Sequence, residues 1–283
     1  MENRKPLVIY HKDCADGLAA AWCFWKQFKD KMEYHPGVYN EEMPDVHFRD
    51  VYLVDFSYKR HVIEEMLKYA DKVILLDHHA SAIDGLWDLK HPDFDMSNCN
   101  PEHSGAMLAW NYVKEATGHR RQIPKLIQHI EDRDLWKFKY ENTRAVMAAV
   151  FSYPFTLESY DRLMTITTSR GIKNLVKEGV VIERKYQQDL NKILEGCVRP
   201  FKIGDYTVPC ACANYVYASD VGNKLAQNAL FGASYYDTEK HRVFSLRSIG
   251  DFDVSKVALQ YNGGGHKNAS GFKVPRDHEL ARA

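Results

Sequence analysis

The sequence predicts an α/β protein with a parallel-sheet domain and a second, smaller α/β domain. Short apolar runs alternate with helical patterns in the first eighty residues, as in a parallel sheet covered by helices on both faces. A stretch without strand signals, 153–196, separates this part from a carboxyl-terminal part that returns to short strands and helices. Within that stretch, 172–194 has the pattern of one long charged amphipathic helix. With 283 residues, 45% of them hydrophobic, the chain is long enough to form two domains.

The first domain, predicted over 1–152, alternates strands and helices in order. Its predicted strands are Leu7–Tyr10, a segment within 32–38, Val51–Val54 and Val73–Leu76. Helices are predicted from Leu18, over 58–69, from the N-cap Ser104 to Gly118, and from Lys125 to about Asp132. The segment 84–101 is rich in Asp, Pro and Asn, and we expect it to be irregular.

The rest of the chain divides into a helical connector, 153–197, and a small domain, 198–283. The connector contains a long helix over 172–194. In the small domain the pattern predicts helices over 220–230, with Ser219 or Asp220 as N-cap, and over 253–260. The strands predicted there are 201–203, 206–213, 233–236 and 243–247.

Composition narrows the classes of partner. The 38 basic and 38 acidic residues balance, so no overall field attracts long duplex nucleic acid or an anionic membrane. The balanced charge is still compatible with a small anionic substrate that binds in a local basic pocket. No window approaches 18 apolar residues, and the amino terminus lacks the apolar segment of a signal peptide. The six cysteines show no zinc-binding spacing. We expect a cytoplasmic protein with reduced thiols.

Acids and imidazoles follow several of the predicted strands or lie on adjoining helices. Taken singly, each could be a surface charge or a helix cap. Together, carboxylates with a minority of imidazoles favour a Mn²⁺ or Mg²⁺ site. Their number suits two cations about 3.5–4 Å apart, an arrangement that activates water for phosphoryl displacement. The set is His11, Asp13, Asp16, Asp55, Asp77, His78, His79, Asp132 and Asp134.

The run Gly263-Gly264-Gly265-His266 suggests a second site. Consecutive glycines let a backbone approach a ligand and present N–H groups to an anion, although such a run is also typical of a flexible turn. Arg247 ends a predicted strand, where its planar guanidinium could bind a terminal phosphate or form a salt bridge at the rim.

These motifs resemble those of the DHH phosphoesterase superfamily with a DHHA1 carboxyl-terminal domain. That group includes RecJ-type exonucleases and the nano-RNases, which hydrolyse very short oligonucleotides. The matching segments are His11-x-Asp13-x-x-Asp16-Gly17, Val54-Asp55, Asp77-His78-His79, Asp132 within Glu-Asp-Arg-Asp-Leu-Trp, and Gly263-Gly-Gly-His266 with Arg247 upstream.

The resemblance implies a role for each of these residues. Asp77 would orient its neighbours, and His79 would stabilise charge or donate a proton at the scissile phosphate. Substrate would be held by Arg247, Gly263, Gly264, Gly265, His266 and Asn268, with His103 as a further candidate. The metal ligands would be His11, Asp13, Asp16, Asp55, His78 and Asp132, with Asp55 bridging. In many relatives one residue separates the two acids of the first motif, whereas two residues separate Asp13 and Asp16. Which of these two acids, with His11, would contact which metal therefore stays open.

The expected activity is two-metal hydrolysis, with Mn²⁺ or Mg²⁺, of short 5′-phosphorylated oligoribonucleotides. Dinucleotides such as pGpG or pApA would yield mononucleotides. The alternatives are a cyclic-dinucleotide phosphodiesterase, a 3′-phosphoadenosine 5′-phosphate phosphatase and a polyphosphate hydrolase. A nucleotide-binding regulator without turnover is the alternative from another class. The sequence leaves the oligomeric state open, with a homodimer as one possibility.

Overall fold

Both predicted sheets are present, one in each of two units into which the chain divides between Glu183 and Arg184. The structure is a computed structural model that describes residues 4–39, 41–169 and 171–282. The predicted fold class, a parallel α/β sheet followed by a second α/β sheet, is confirmed. No helix in these described ranges has the length and apolar character needed to cross a lipid bilayer.

The sheet of the first unit is parallel throughout, with the strand order β2-β1-β3-β4-β5. Strand β5 lies in the segment predicted to be irregular. It is only two residues long and pairs with Val73 and Ile74, so it is too short to show a strand pattern. The strands are β1 Leu7–His11, β2 Glu33–Gly37, β3 Asp50–Val54, β4 Lys72–Leu76 and β5 Phe94–Asp95.

Helices cover both faces of this sheet, because alternate side chains of each strand point to opposite sides. Val8 and Val54 pack in one apolar cluster, whereas Ile9 and Leu53 pack in another. The helices are α1 Ala15–Phe28, α2 Arg60–Met66, α3 Ala80–Leu86, α4 Gly105–Thr117, α5 Lys125–Asp134, α6 Thr143–Val150, α7 Leu157–Ser169 and α8 Lys173–Gly196.

The predicted ends of α4 are confirmed. The Ser104 hydroxyl accepts a hydrogen bond from the Met107 N–H, and Gly118 ends the helix with a φ of 66°. Helix α6 had no counterpart in the prediction. The division between the two units falls within α8, and the predicted bounds of a separate connector, 153–197, stay a prediction.

The second unit contains a mixed sheet with the order β10-β11-β9-β8-β7-β6. All neighbouring strands are antiparallel except β7 and β8, which α9 connects as a crossover. The strands are β6 Val198–Ile203, β7 Tyr206–Cys212, β8 Gly232–Asp237, β9 His241–Arg247, β10 Gly264–His266 and β11 Ala269–Pro275. The helices are α9 Ala218–Ala226, α10 Val254–Leu259 and α11 Glu279–Arg282.

The predicted N-cap of α9 is wrong. The helix begins at Ala218, and its N-cap Tyr217 makes no side-chain capping bond. Ser219 and Asp220 lie inside the first turn, and their side chains serve other partners. The Ser219 hydroxyl accepts from Arg247, and the Asp220 carboxylate accepts from the Tyr186 hydroxyl.

Candidate active site

The polar residues that follow β1, β3 and β4 lie side by side. Tyr10 pairs with Val54, and Val54 pairs with Leu76, so the next residue of each strand, His11, Asp55 and Asp77, falls in one row. The strand order reverses between β1 and β3. In open α/β sheets, ligands bind at the carboxyl ends of the strands where this reversal occurs.

Asp77 organises the end of β4. It is fully buried, and its Oδ1 accepts hydrogen bonds from the backbone N–H of His78 at 2.8 Å and of His79 at 3.2 Å. The same oxygen lies 2.7 Å from His79 Nδ1. These contacts fix the turn and the orientation of the His79 ring. The orienting role that the resemblance implies for Asp77 is compatible with these contacts and stays a prediction.

His78 lies at the centre of a group of carboxylates. Its Nε2 is 3.1 Å from Asp55 Oδ1, 3.4 Å from Asp134 Oδ2 and 3.9 Å from Asp16 Oδ2. Burial opposes a charge on this ring, but the surrounding carboxylates outweigh burial and raise the pKa of His78 to about 10. Without cations, the imidazolium therefore neutralises part of the acidic cluster.

Asp55 connects the two sides of the cluster. Its Oδ1 faces His78, and its Oδ2 lies 3.8 Å from His11 Nδ1. Burial alone would raise the pKa of this carboxyl, but the imidazoles of His11 and His78 outweigh burial and lower it. The backbone of Asp55 is left-handed, with a φ of 52°. Strained backbone of this kind is common at functional sites.

Asp16 ties the cluster to α4. Its two oxygens accept hydrogen bonds from Gly105 N at 2.6 Å and from Ala106 N at 3.1 Å, so the carboxylate stabilises the amino end of that helix. Burial and the nearby Asp55 and Asp134 carboxylates raise the pKa of Asp16. A Cβ atom at Gly105 would lie 2.9 Å from Asp55 Cα, so only glycine fits between Asp16 and Asp55.

This arrangement fits divalent cations. The potential ligand atoms of His11, Cys14 and Asp55 lie within 4.8 Å of one another, and so do those of Asp16, His78 and Asp134. Asp55 Oδ2 and Asp77 Oδ2 are buried and have no hydrogen-bond partner among the described residues. Buried carboxylate oxygens are costly unless paired, and cations would remove that cost.

The cluster differs from the predicted ligand set at two positions. Asp132 is absent from it, because its carboxylate accepts from Lys139 N, Tyr140 N and the Thr143 hydroxyl in the turn after α5. Asp134, which had no assigned role, takes its place. Asp13 is exposed, with a left-handed φ of 53°, and the neighbouring Cys14 lies with His11 and Asp55. No zinc-type spacing marked Cys14 in the sequence.

His103 pairs with an acid rather than standing free. Its Nδ1 lies 2.8 Å from Glu131 Oε1, and the same carboxylate oxygen accepts from the Ser104 N–H at 3.4 Å. This contact links α5 to the start of α4. His103 therefore lies where it supports the amino end of α4. Its substrate-binding role stays a prediction.

In the second unit, the predicted substrate residues gather at one end of the sheet. His266 pairs with Ala269, and Ala269 pairs with Arg247, so these residues form a row across three strands. Arg247 donates to the Leu246 carbonyl and the Ser219 hydroxyl. Asn268 donates to the Ser248 hydroxyl at 2.9 Å and the Gly250 carbonyl at 3.0 Å.

The glycine run is not the open anion-binding loop that the sequence suggested. Gly264 and Gly265 belong to β10, which pairs with β11. Gly265 has a φ of 138°, and a Cβ atom there would meet Ser270 Cα at 2.8 Å. At Gly263 a Cβ atom would meet Phe272 Cα at 2.9 Å, whereas at Gly264 it would meet nothing within 4 Å. Close packing on β11 therefore explains two of the glycines.

Comparison with known proteins agrees with this architecture. Residues 214–283 match the model of the DHHA1 domain. The chain is 28% identical over 299 residues to the uncharacterized protein R106 of Acanthamoeba polyphaga mimivirus, covering 95% of this chain and 68% of that protein. It is 25% identical over 231 residues to the oligoribonuclease NrnB of Bacillus subtilis, covering 75% of this chain and only 55% of NrnB.

A solved structure shares the fold. PggH, a pGpG-specific phosphodiesterase from Vibrio cholerae, superimposes with a TM-score of 0.51 at 14% identity, covering 96% of this chain and 94% of PggH. Residues 214–283 are therefore a DHHA1 domain, and the chain as a whole resembles the DHH phosphoesterases in sequence and in fold.

Proposed function

We propose that this protein is a divalent-cation-dependent phosphodiesterase that hydrolyses short 5′-phosphorylated oligoribonucleotides to mononucleotides. The observation that carries the proposal is the buried cluster of carboxylates and imidazoles at the ends of β1, β3 and β4. Dinucleotides such as pGpG or pApA are the proposed substrates. The names of NrnB, an oligoribonuclease, and PggH, a pGpG phosphodiesterase, support this choice.

Two groups of side chains would hold two cations. One contains His11 and Asp55, and the other contains Asp16, His78 and Asp134. Asp55 faces both groups, with Oδ1 toward His78 and Oδ2 toward His11, so it suits the bridging role. Oxygen and imidazole donors of this kind favour Mn²⁺, with Mg²⁺ as the alternative. Bound cations would activate a water molecule and neutralise charge on the phosphoryl oxygens.

His79 is the proposed proton donor to the leaving group. Its side chain is 19% exposed, whereas that of His78 is 4% exposed, so His79 is the more accessible imidazole. Its Nδ1 lies 2.7 Å from Asp77 Oδ1, and this contact orients the ring. Burial opposes the charged ring, but Asp77 and Asp55 outweigh burial and raise the pKa of His79. As water adds to phosphorus, Nε2–H would donate its proton to the departing ribose oxygen.

The second unit would bind the terminal phosphate of the substrate. Arg247 offers a guanidinium whose planar donors match phosphate oxygens, and His266 lies in the same row across the sheet. An anchor for a terminal phosphate selects short substrates over internal segments of long strands. The balanced overall charge agrees with this selection, since channels for long single strands are basic.

The test is hydrolysis of pGpG and pApA in the presence of Mn²⁺, followed by separation of the mononucleotides. We expect turnover that a chelator abolishes. Asp55→Asn should remove it, because the variant loses the charge shared by both groups. Asp50→Asn is the matched control, since Asp50 lies at the amino end of the same strand, and it should keep full activity. Equal activity in both variants would refute the proposed site.

The same assay separates the alternatives. Cyclic dinucleotide, 3′-phosphoadenosine 5′-phosphate and tripolyphosphate should be poor substrates and poor competitors against pGpG. If the protein hydrolysed one of them faster than pGpG, that compound would indicate the substrate class. Tight binding of pGpG without hydrolysis, in protein loaded with Mn²⁺, would instead indicate a nucleotide-binding regulator without turnover. The homodimer stays a prediction, which sedimentation of the purified chain tests.

A further inference from the structure

Cys14 lies at the candidate metal site, although its motif position gave no reason to expect a ligand. It follows the end of β1 and occupies the N-cap position of α1, where its side chain makes no capping hydrogen bond. Its Sγ, a ring nitrogen of His11 and a carboxylate oxygen of Asp55 lie within 4.8 Å of one another. The thiol is thus one corner of a triangle of potential donors.

A second observation indicates that this triangle receives a ligand. Asp55 is 1% exposed, and its Oδ2 has no hydrogen-bond partner among the described residues. His11 Nδ1 is 3.8 Å from this oxygen, which is too far for a hydrogen bond. A cation bound about 2.0–2.3 Å from nitrogen, oxygen and sulfur donors places pairs of donors up to about 4.5 Å apart. The separation between His11 Nδ1 and Asp55 Oδ2, 3.8 Å, lies within that range, and the donor atoms of all three residues lie within 4.8 Å of one another.

Asp13 does not compete for the same position. It is exposed and adopts a left-handed backbone conformation immediately before Cys14. The first motif of this chain has one residue more between its two acids than many relatives have. In the folded chain, that spacing directs Asp13 to solvent and brings Cys14 to His11 and Asp55.

We propose that Cys14 binds one of the two cations as a thiolate, together with His11 and Asp55. This inference rests on the two-cation site of the proposed function and adds a ligand that changes its selectivity. On binding, the S–H bond loses its proton to solvent, and a sulfur–metal bond forms. A thiolate favours Co²⁺, Zn²⁺ or Fe²⁺ over Mg²⁺, whereas the Asp16, His78 and Asp134 group offers oxygen and nitrogen donors alone.

The experiment is a titration of metal-free protein with Co²⁺, followed by absorption spectroscopy under reducing conditions. Coordination by thiolate produces an intense charge-transfer band in the near ultraviolet, which oxygen and nitrogen donors do not give. We expect this band in the natural protein. Cys14→Ser and Cys14→Asp should lose it while the weaker visible bands of bound Co²⁺ persist. Cd²⁺ affinity should fall at least about tenfold in Cys14→Ser.

Cys99→Ser is the matched control, because Cys99 is similarly half-buried but its thiol donates to the Leu75 carbonyl. This variant should keep the band. Persistence of the band in both Cys14 variants, its absence from Co²⁺-loaded natural protein, or its loss in Cys99→Ser would each overturn the assignment. Because the readout is spectroscopic, it is independent of turnover. Failure to hydrolyse dinucleotides would refute the proposed function without affecting this result.

Discussion

Replacing Asp132 and Asp134 separately by asparagine should give opposite phenotypes, although the two acids are neighbours on α5. Asp132 is 3% exposed, and its oxygens accept from Lys139 N at 2.7 Å, Tyr140 N at 3.0 Å and the Thr143 hydroxyl at 2.6 Å. Asparagine keeps one acceptor oxygen and turns an amide N–H₂ toward the remaining donors. Loss of one or two hydrogen bonds to a charged acceptor should lower the free energy of unfolding by about 2–4 kcal/mol.

Asp134→Asn should leave stability nearly unchanged. Partial loss of hydration and the Asp55 charge raise the pKa of Asp134, while His78 partly opposes them, so the folded protein gains little from the ionised carboxyl. Removing the charge should instead weaken cation binding, because Asp134 Oδ2 lies with His78 and Asp16 in the proposed metal group. The two variants thus separate a structural acid from a ligand.

The assay is urea unfolding of the chelator-treated proteins, followed by circular dichroism, with Mn²⁺ binding measured by calorimetry. Hydrogen bonds lower the pKa of Asp132 despite its burial, so its contribution to stability is present above about pH 4 and is lost as pH falls through the folded pKa. The stability gap between natural protein and Asp132→Asn should therefore narrow in acid. A stable Asp132→Asn that fails to bind Mn²⁺, beside an Asp134→Asn that binds normally, would refute this reasoning.

Three further substitutions test the packing around the site. Ser104→Ala should destabilise the protein by about 1 kcal/mol in thermal or urea unfolding, because it removes the N-cap bond of α4. Gly105→Ala should abolish Mn²⁺ binding and destabilise the fold, because its Cβ would overlap Asp55. Gly85→Ala in α3 is the control, because a Cβ there meets nothing within 4 Å, and its urea midpoint should equal or exceed that of the natural protein. Tyr160→Phe should leave stability unchanged or raise it by up to about 1 kcal/mol, because the buried Tyr160 hydroxyl has no hydrogen-bond partner in the described part of the chain; a clear loss would reveal a bond to buried water.

The sequence by itself determined the sheet and the edge that carries the site. Apolar runs such as Val73–Leu76 are visible because strand periodicity is local, and the polar residues after them fall at one edge because parallel strands share a direction. The grouping of Asp55 with His78 follows from that rule alone. The capping pattern at Ser104 and Gly118 was readable for the same reason, since a helix end depends on residues within one turn.

The tertiary structure alone decided which neighbours of these motifs join the site. Positions 132 and 134 are about 200° apart around a helix, so they face opposite sides, and only the packing of α5 shows which side meets His78. The turn between β1 and α1 brings Cys14, rather than the predicted ligand Asp13, to His11 and Asp55. Asp13 has the left-handed backbone conformation in this turn, and no sequence periodicity indicates that conformation. The glycine run became β10 because β11 lies close enough to pair with it, a contact between segments that local pattern does not encode.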